Sequence, residues 1–267
     1  MKQLCIVLFS LLFTQAGFAQ KKTKKIHLPE VWGEAVQSST ETPLQCKKRA
    51  INEAKVEAMK KAGVSENITS YSTFFQSEVK NKYEDIFKSD VLNDINGHVI
   101  VNEELEVKKH FDEFDNLIVK VKIDATVLKY EVTRDLTFDA WVQGLDQASY
   151  LSTDAVEFSI KPNQEMYIRI FDLVDQKIYP IYPNFLERNQ VFTKSELVFF
   201  PTTDELSYVF EFDEERESHN FIILLLKEDI PYTSTSVNSK DLLDWIFSIP
   251  PHQRVVKTYS FDVFKEK

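Results

Sequence analysis

The chain of 267 residues carries 32 Lys and Arg against 42 Asp and Glu, with 43% hydrophobic and 13% aromatic side chains. Twenty-one phenylalanines and ten tyrosines exclude a disordered chain, and a formal charge of −10 disfavours nucleic acid binding, which rests on cations neutralising phosphates. The five glycines never fall at the spacings of a phosphate-binding loop, so nucleotide-binding motifs are excluded as well.

The N-terminus has Lys2, an apolar run from Leu4 to Phe13 and small residues up to Ala19. This is the pattern of an export signal, with cleavage expected after Ala19. The run is shorter than the ~20 residues of a spanning helix, and no other segment approaches that length. Residues 1–19 are therefore read as a signal peptide. Residues 20–25, with Lys21, Lys22, Lys24 and Lys25, are read as a basic solvated tail. Cys5 lies ahead of most of the apolar run, where no lipidation occurs. Its removal leaves Cys46 as an unpaired thiol, expected to be partly buried and inert. Removing Lys2 gives a balance of −11. Residues 20–130 hold 18 basic and 18 acidic side chains, and residues 131–267 hold 13 and 24, so the excess acid belongs to the second half.

The clearest helix begins at Thr42-Pro43-Leu44-Gln45, a cap, a first-turn proline and a residue that bonds back to the cap. It is expected to end at Gly63, with Ala50, Ala54, Ala58 and Ala62 forming a smooth stripe suited to lying close on a sheet. Strands are expected from Ile26 to Val36 and from Val64 to Phe75, and a short helix or connection from Tyr83 to Leu92. Val99, Val101, Leu105, Val107 and Phe111 share one parity, as do Leu117 to Val127 across a polar turn at residues 112–116. This period-two pattern predicts a hairpin. Glu103 and Lys109 break the first stripe, which predicts a bulge or a sheet edge.

Trp32-Gly33-Glu34-Ala35, the alanine-spaced helix closing at Ala62-Gly63-Val64, Ile95-Asn96-Gly97-His98-Val99 and the hairpin together resemble the N-terminal domain of bacterial flagellar assembly protein T and its related envelope lipoproteins. The resemblance covers about residues 26–130. It implies an α+β module in the periplasm or outer envelope, without catalytic residues. The chain departs from those lipoproteins in lacking a lipidated cysteine.

The second half reads as short aromatic and β-branched strands at Leu136 to Val142, Val156 to Ile160, Met166 to Leu173, Ile178 to Tyr182, Glu196 to Phe200, Leu206 to Phe212, Phe221 to Lys227 and Val255 to Phe264. A helix is expected from Asp241 to Ile249, capped by Ser239 and stopped by Pro250 and Pro251. Phe221 to Leu226 is apolar on both parities and is placed at the centre of a sheet. The fold class is α+β: a helix-on-sheet module at 26–130, then a β-rich sandwich or partly closed barrel at 134–264. Glu165 to Asp172, Lys177 to Asn184, the apolar strand and the short late helix resemble a secreted bacterial domain family of unknown function found on envelope lipoproteins and proteases.

No nucleophile elbow and no zinc-protease helix is present, and the five histidines are scattered, so no catalytic, cofactor or metal residues are assigned. Carboxylates that pair only in space are the remaining route to an enzyme. His110 near Asp112 and Asp115 reads as a solvated turn. The cluster Asp213, Glu214, Glu215 and Glu217 lacks the glycine and ligand spacing of a calcium loop and reads as a charged connection. The candidate binding residues are Tyr179, Tyr182, Asn184 and Phe185, where prolines hold polar-tipped aromatics in an extended turn. The expected function is a non-enzymatic exported protein, periplasmic or extracellular or peripheral to the outer membrane, that contacts another envelope protein. The alternative is a glycan-binding module using the aromatics near Tyr182.

Overall fold

The computed structural model describes residues 23–64, 84–87 and 91–266. The expected signal peptide, Lys21 and Lys22, and all but the start of the strand expected after Val64 lie outside the described residues. In the first half, β1 (Lys24–Val36), β2 (Gly97–Phe111) and β3 (Leu117–Lys129) form an antiparallel sheet in the order β1-β3-β2, with α1 (Pro43–Lys61) across one face. Lys24 and Lys25 pair with Lys129 and Leu128 at the start of β1, which corrects their assignment to a solvated tail. Two single-turn helices, α2 (Glu84–Phe87) and α3 (Val91–Asp94), precede β2. The expected break in β2 takes the form of two register shifts, near Val101 and near Glu104, on a strand at the sheet edge.

Helix α1 starts and stops where its local chemistry dictates. The Thr42 amide donates to Gln45 Oε1 at 2.8 Å and the Gln45 amide donates to Thr42 Oγ1 at 3.3 Å, closing the capping box. At the other end Gly63 turns with φ 70° and the Val64 amide reaches the Met59 carbonyl at 3.0 Å. The stripe of Cys46, Ala50, Ala54, Ala58 and Met59 is fully buried against the sheet. The helix comes so near that a Cβ on Gly33 of β1 would lie 2.1 Å from the Ala50 oxygen and 2.2 Å from the Ala54 nitrogen.

The second half contains two sheets. One runs β5 (Ser149–Leu151), β11 (Arg254–Phe264), β10 (Arg216–Leu226), β7 (Tyr167–Val174), β8 (Lys177–Tyr182); the other runs β4 (Ala140–Gln143), β6 (Phe158–Pro162), β9 (Val198–Phe200). Neither closes into a barrel, so the sandwich alternative holds. β10 occupies the centre of its sheet, as its two-sided apolar run requires. Residues 206–212 are not a strand, because Val156 takes the Tyr208 carbonyl in a single bond and no ladder follows. The late helix, α4 (Ser239–Ser248), is capped by Asn238 rather than Ser239: the Asn238 side chain accepts from the Lys240 amide at 2.9 Å, whereas Ser239 is buried in the first turn.

Alternation along β10 divides two cores. Phe221, Ile223 and Leu225 face the small sheet and meet Phe158, Ile160 and Phe200. Ile222, Leu224 and Leu226 face the other way, toward Leu242, Leu243 and Phe247 of α4, in a cluster that runs on through Ile86, Phe87, Leu92 and Ile95 to the helix-on-sheet half. The two halves thus share one continuous core. Polar ties close the seam: the Asn93 amide group donates to the Val256 carbonyl and accepts from the Val256 amide, both at 2.9 Å. The Tyr130 hydroxyl donates to the Phe247 carbonyl at 2.5 Å. The buried Arg254 guanidinium donates to the Ile249 carbonyl at 2.9 Å and to the carbonyls of Leu92 and Ile95.

Candidate interaction surface

The four sequence-derived candidates lie on β8 and the turn that follows it, but they do not form one surface. Tyr182 is only 1% exposed. Its ring packs on Phe200 at 5.1 Å, its hydroxyl donates to the Arg188 carbonyl at 3.0 Å, and burial pushes its phenol up to about 12. It is a core residue, which corrects its assignment as a binding aromatic and removes the stacking group on which the glycan alternative was built. Asn184 is likewise structural. Its side-chain oxygen accepts from the amides of Leu186 and Glu187 at 2.9 and 2.8 Å, and its amide group donates to the Ile181 carbonyl and to Glu187 Oε2. Tyr179 is half-exposed on β8, and Phe185 is 90% exposed at the tip of the turn.

The turn is pinned from below by Glu187, a buried carboxylate that the sequence reading passed over. It accepts from the Thr202 amide at 2.5 Å, the Tyr208 hydroxyl at 2.6 Å and the Asn184 amide group at 2.7 Å. Burial and the adjacent Glu187 carboxylate push the Tyr208 phenol well above its ordinary range, so it stays a donor. The segment from Pro183 to Glu187 is therefore fixed to the 202–208 segment, and Phe185 is displayed on a rigid support.

A second apolar surface lies on the outer face of the small sheet. In a two-sheet sandwich the inner faces alternate with polar outer residues, and the inner face here is apolar as expected, from Ala140, Phe158, Ile160, Val198 and Phe200. The outer face departs from that rule. Trp141 on β4 is 62% exposed and Phe199 on β9 is 64% exposed. Trp141 is opposite Lys161 and Phe199 is opposite Ser159, with β6 between them. Two strand spacings and a two-residue offset separate the rings by roughly 12 Å. Lys161, between them, is exposed and makes no ion pair among the described residues. Leu197, just before β9, adds a further half-exposed apolar group.

Other sequence candidates resolve into structure. Asp112 accepts from the amides of Phe114 and Asn116 at 2.9 Å, and this bonding, led by the Asn116 side chain, holds its carboxyl below the usual range; the hairpin tip is a turn motif. Burial pushes the Cys46 thiol up, and its Sγ donates to the Ala35 carbonyl at 3.4 Å. On the open face of the first sheet, Trp32 has Lys108 and Lys122 each 5.0 Å from its ring, and both lysines pair with Glu106. Among the described residues no group of three or more His, Cys, Asp or Glu is arranged to hold a metal ion. No helix among them is long and apolar enough to cross a membrane.

No protein-family model matches the chain, and comparison with curated proteins gives no match either. The two family resemblances rest on the quoted motifs alone.

Proposed function

We propose that the protein is an exported, non-enzymatic accessory protein of the cell envelope that binds another protein across the outer face of the sheet β4-β6-β9. The observation that carries this reading is the exposure of Trp141 and Phe199 on a face that sandwich architecture makes polar. Two large aromatic side chains exposed to that extent offer roughly 200–300 Å² of apolar surface, divided between two anchors on either side of Lys161. Tryptophan and aromatic anchors surrounded by polar groups are also what dominates binding energy in protein interfaces.

Lys161 gives the surface a chemical direction. It is a cation between the two rings with no ion pair among the described residues, on a half whose charge balance is acidic. A partner presenting an apolar segment with an adjacent carboxylate fits this arrangement. The N-terminal pattern of Lys2, an apolar run and Ala19 supports export, and the resemblance of both halves to envelope modules supports an accessory role. Phe185, on its pinned turn, is a second projecting apolar contact.

The test is photo-crosslinking in intact cells, with a photoreactive phenylalanine placed at position 141 or 199 and, as control, at exposed Glu30 on the first sheet. The reading expects the same envelope protein to be captured from both positions and not from the control. Capture of nothing from positions 141 and 199, or the same background from all three, overturns it.

A further inference from the structure

The end of the helix-on-sheet half where β1 begins and β3 and α1 finish gathers lysines that the proposed binding surface does not use. Lys24 lies directly opposite Lys129 across the β1–β3 ladder, with Lys25 beside it opposite Leu128. The Lys129 ammonium donates to the Gly63 carbonyl at 2.8 Å, and the Gly63 amide donates to the Lys60 carbonyl at 2.9 Å, so Lys60 and Lys61 in the last turn of α1 stand beside the same strand ends. Alternation places Lys24 and Lys129 on the α1 side of the sheet and Lys25 on the other. Lys24, Lys25, Lys60 and Lys61 are exposed. Against these lysines the same segments bring Glu57, 3.7 Å from Lys60, and the exposed Glu131. Lys24, Lys25, Lys61 and Lys129 make no ion pair among the described residues.

Helix chemistry explains part of this cluster, because cations in the last turn offset the negative end of the helix dipole, which suits Lys60 and Lys61. It does not explain Lys24 and Lys129. Like charges directly opposite on neighbouring strands destabilise a sheet, and here two cations face each other in a chain whose formal charge is −10. The first acids met along the three strands from this end are Glu30, Asp124 and Glu103, roughly 16–20 Å away. That is beyond the ~10 Å over which exposed charges act in 0.1 M salt. The cluster therefore presents a positive field of its own on a protein that is acidic as a whole.

We propose that this end of the protein docks on an anionic lipid surface, with Lys24, Lys25, Lys60 and Lys61 meeting headgroup phosphates and Lys129 adding to the field. A lysine ammonium is a point charge that binds phosphate without a fixed geometry. Protein interfaces favour aromatic side chains and are depleted in lysine, whereas these segments display lysines and no exposed large apolar side chain. A phosphate-bearing lipid surface fits them better than an acidic protein does. Lysines on both sides of the sheet end suit a broad plane rather than a pocket. Phosphates over the Lys24–Lys129 pair also relieve the repulsion that the free protein carries. Export decides which membrane is met, and binding to vesicles is measured apart from it.

The test is flotation of the exported protein, purified from cells, with vesicles of phosphatidylcholine containing about 30% phosphatidylglycerol or of phosphatidylcholine alone. Binding is expected to the anionic vesicles only, and to be lost as NaCl rises from about 50 to about 500 mM. A lysine near an anionic surface is worth about fivefold in partitioning. Lys24→Gln/Lys25→Gln and Lys60→Gln/Lys61→Gln are therefore each expected to weaken binding about 25-fold while keeping the wild-type melting temperature. Lys129 is left in place because its ammonium holds the Gly63 carbonyl. The control Lys177→Gln/Lys194→Gln, exposed on the second half, is expected to bind within about twofold of wild type. Equal binding to both vesicle types overturns the proposal. So does a loss confined to the Lys24/Lys25 variant, which would assign binding to the N-terminal run alone. Stronger binding to soluble polyglutamate than to anionic vesicles of equal charge concentration would point to an acidic protein and overturn it as well.

Discussion

Replacing Gly33 by alanine puts a methyl group where the backbone of α1 already lies. The added Cβ would sit 2.1 Å from the Ala50 oxygen, 2.2 Å from the Ala54 nitrogen and 2.8 Å from the Ala54 Cα. These are backbone atoms, so no side-chain rotamer relieves the overlap. The helix must lift by more than about 1 Å, from a surface where carbon contacts are normally ~3.5–4.0 Å. Lifting it uncovers Cys46, Ala50, Ala54, Ala58 and Met59, all fully buried. Overpacking a rigid core costs about 1–3 kcal/mol before that lost burial is added, and the expected total is at least ~3 kcal/mol, a large share of a stability of ~5–15 kcal/mol. Urea unfolding followed by circular dichroism measures it. Gly63→Ala is the comparison: its Cβ meets only the end of the Lys129 side chain at 3.2 Å, so it carries the left-handed backbone cost of ~1–2 kcal/mol and at most the exposed hydrogen bond that Lys129 Nζ donates to the Gly63 carbonyl at 2.8 Å. A Gly33→Ala loss below about 1 kcal/mol, or one no greater than that of Gly63→Ala, refutes the close packing of α1 on β1.

Arg254→Met removes the guanidinium at the seam and leaves the Ile249, Leu92 and Ile95 carbonyls without it, a cost of roughly 2–5 kcal/mol in denaturant titrations. Because the core is shared, Trp32 of the first half and Trp141 and Trp245 of the second are expected to report one common unfolding transition for wild type. Glu187→Ala leaves the Thr202 amide and Tyr208 hydroxyl unsatisfied and is expected to cost about 2–3 kcal/mol and to raise proteolysis within 183–190. Burial holds the Tyr130 and Tyr182 phenols at about 12, above the unfolded value near 10. Their contribution is complete below pH 10 and is lost as pH rises to 12, on the order of 2–3 kcal/mol for each, so the urea midpoint should fall across that window and fall less in Tyr130→Phe.

The parts of the fold that local chemistry controls were readable from the chain. The capping box, the alanine stripe, Gly63 and the two alternating stripes at 99–127 needed no tertiary information, and the two-sided apolar run at 221–226 announced a central strand. Leu206 to Phe212 misled because alternating apolar residues also suit an irregular segment whose side chains, Tyr208 and Phe210 among them, fill a core edge. Tyr182 misled in the opposite direction. A tyrosine beside two prolines suits a recognition loop, and only the fold shows its ring turned inward on Phe200. The exposed aromatics Trp141 and Phe199 were hidden by their neighbours. Ala140-Trp141-Val142 and Val198-Phe199-Phe200 are apolar on both parities, which reads equally as a strand buried on both faces. That Trp141 and Phe199 lie on the exposed side of the small sheet follows from sheet order and register, absent from any local window. Glu187 meets Thr202 and Tyr208, and His219 meets Asp172, across separations in sequence that no spacing rule links.

The most direct measurement of the central claim is the affinity of the purified protein for the partner captured at positions 141 and 199, compared between wild type and Trp141→Ala/Phe199→Ala by calorimetry. Both residues are outward-facing, so the variant is expected to keep the wild-type melting temperature within a few degrees. Aromatic anchors of an interface contribute about 2 kcal/mol or more each, so the account predicts a loss on the order of 10³-fold in Kd for the double variant. A variant that folds normally and binds within about threefold of wild type would place the contact elsewhere and contradict the account.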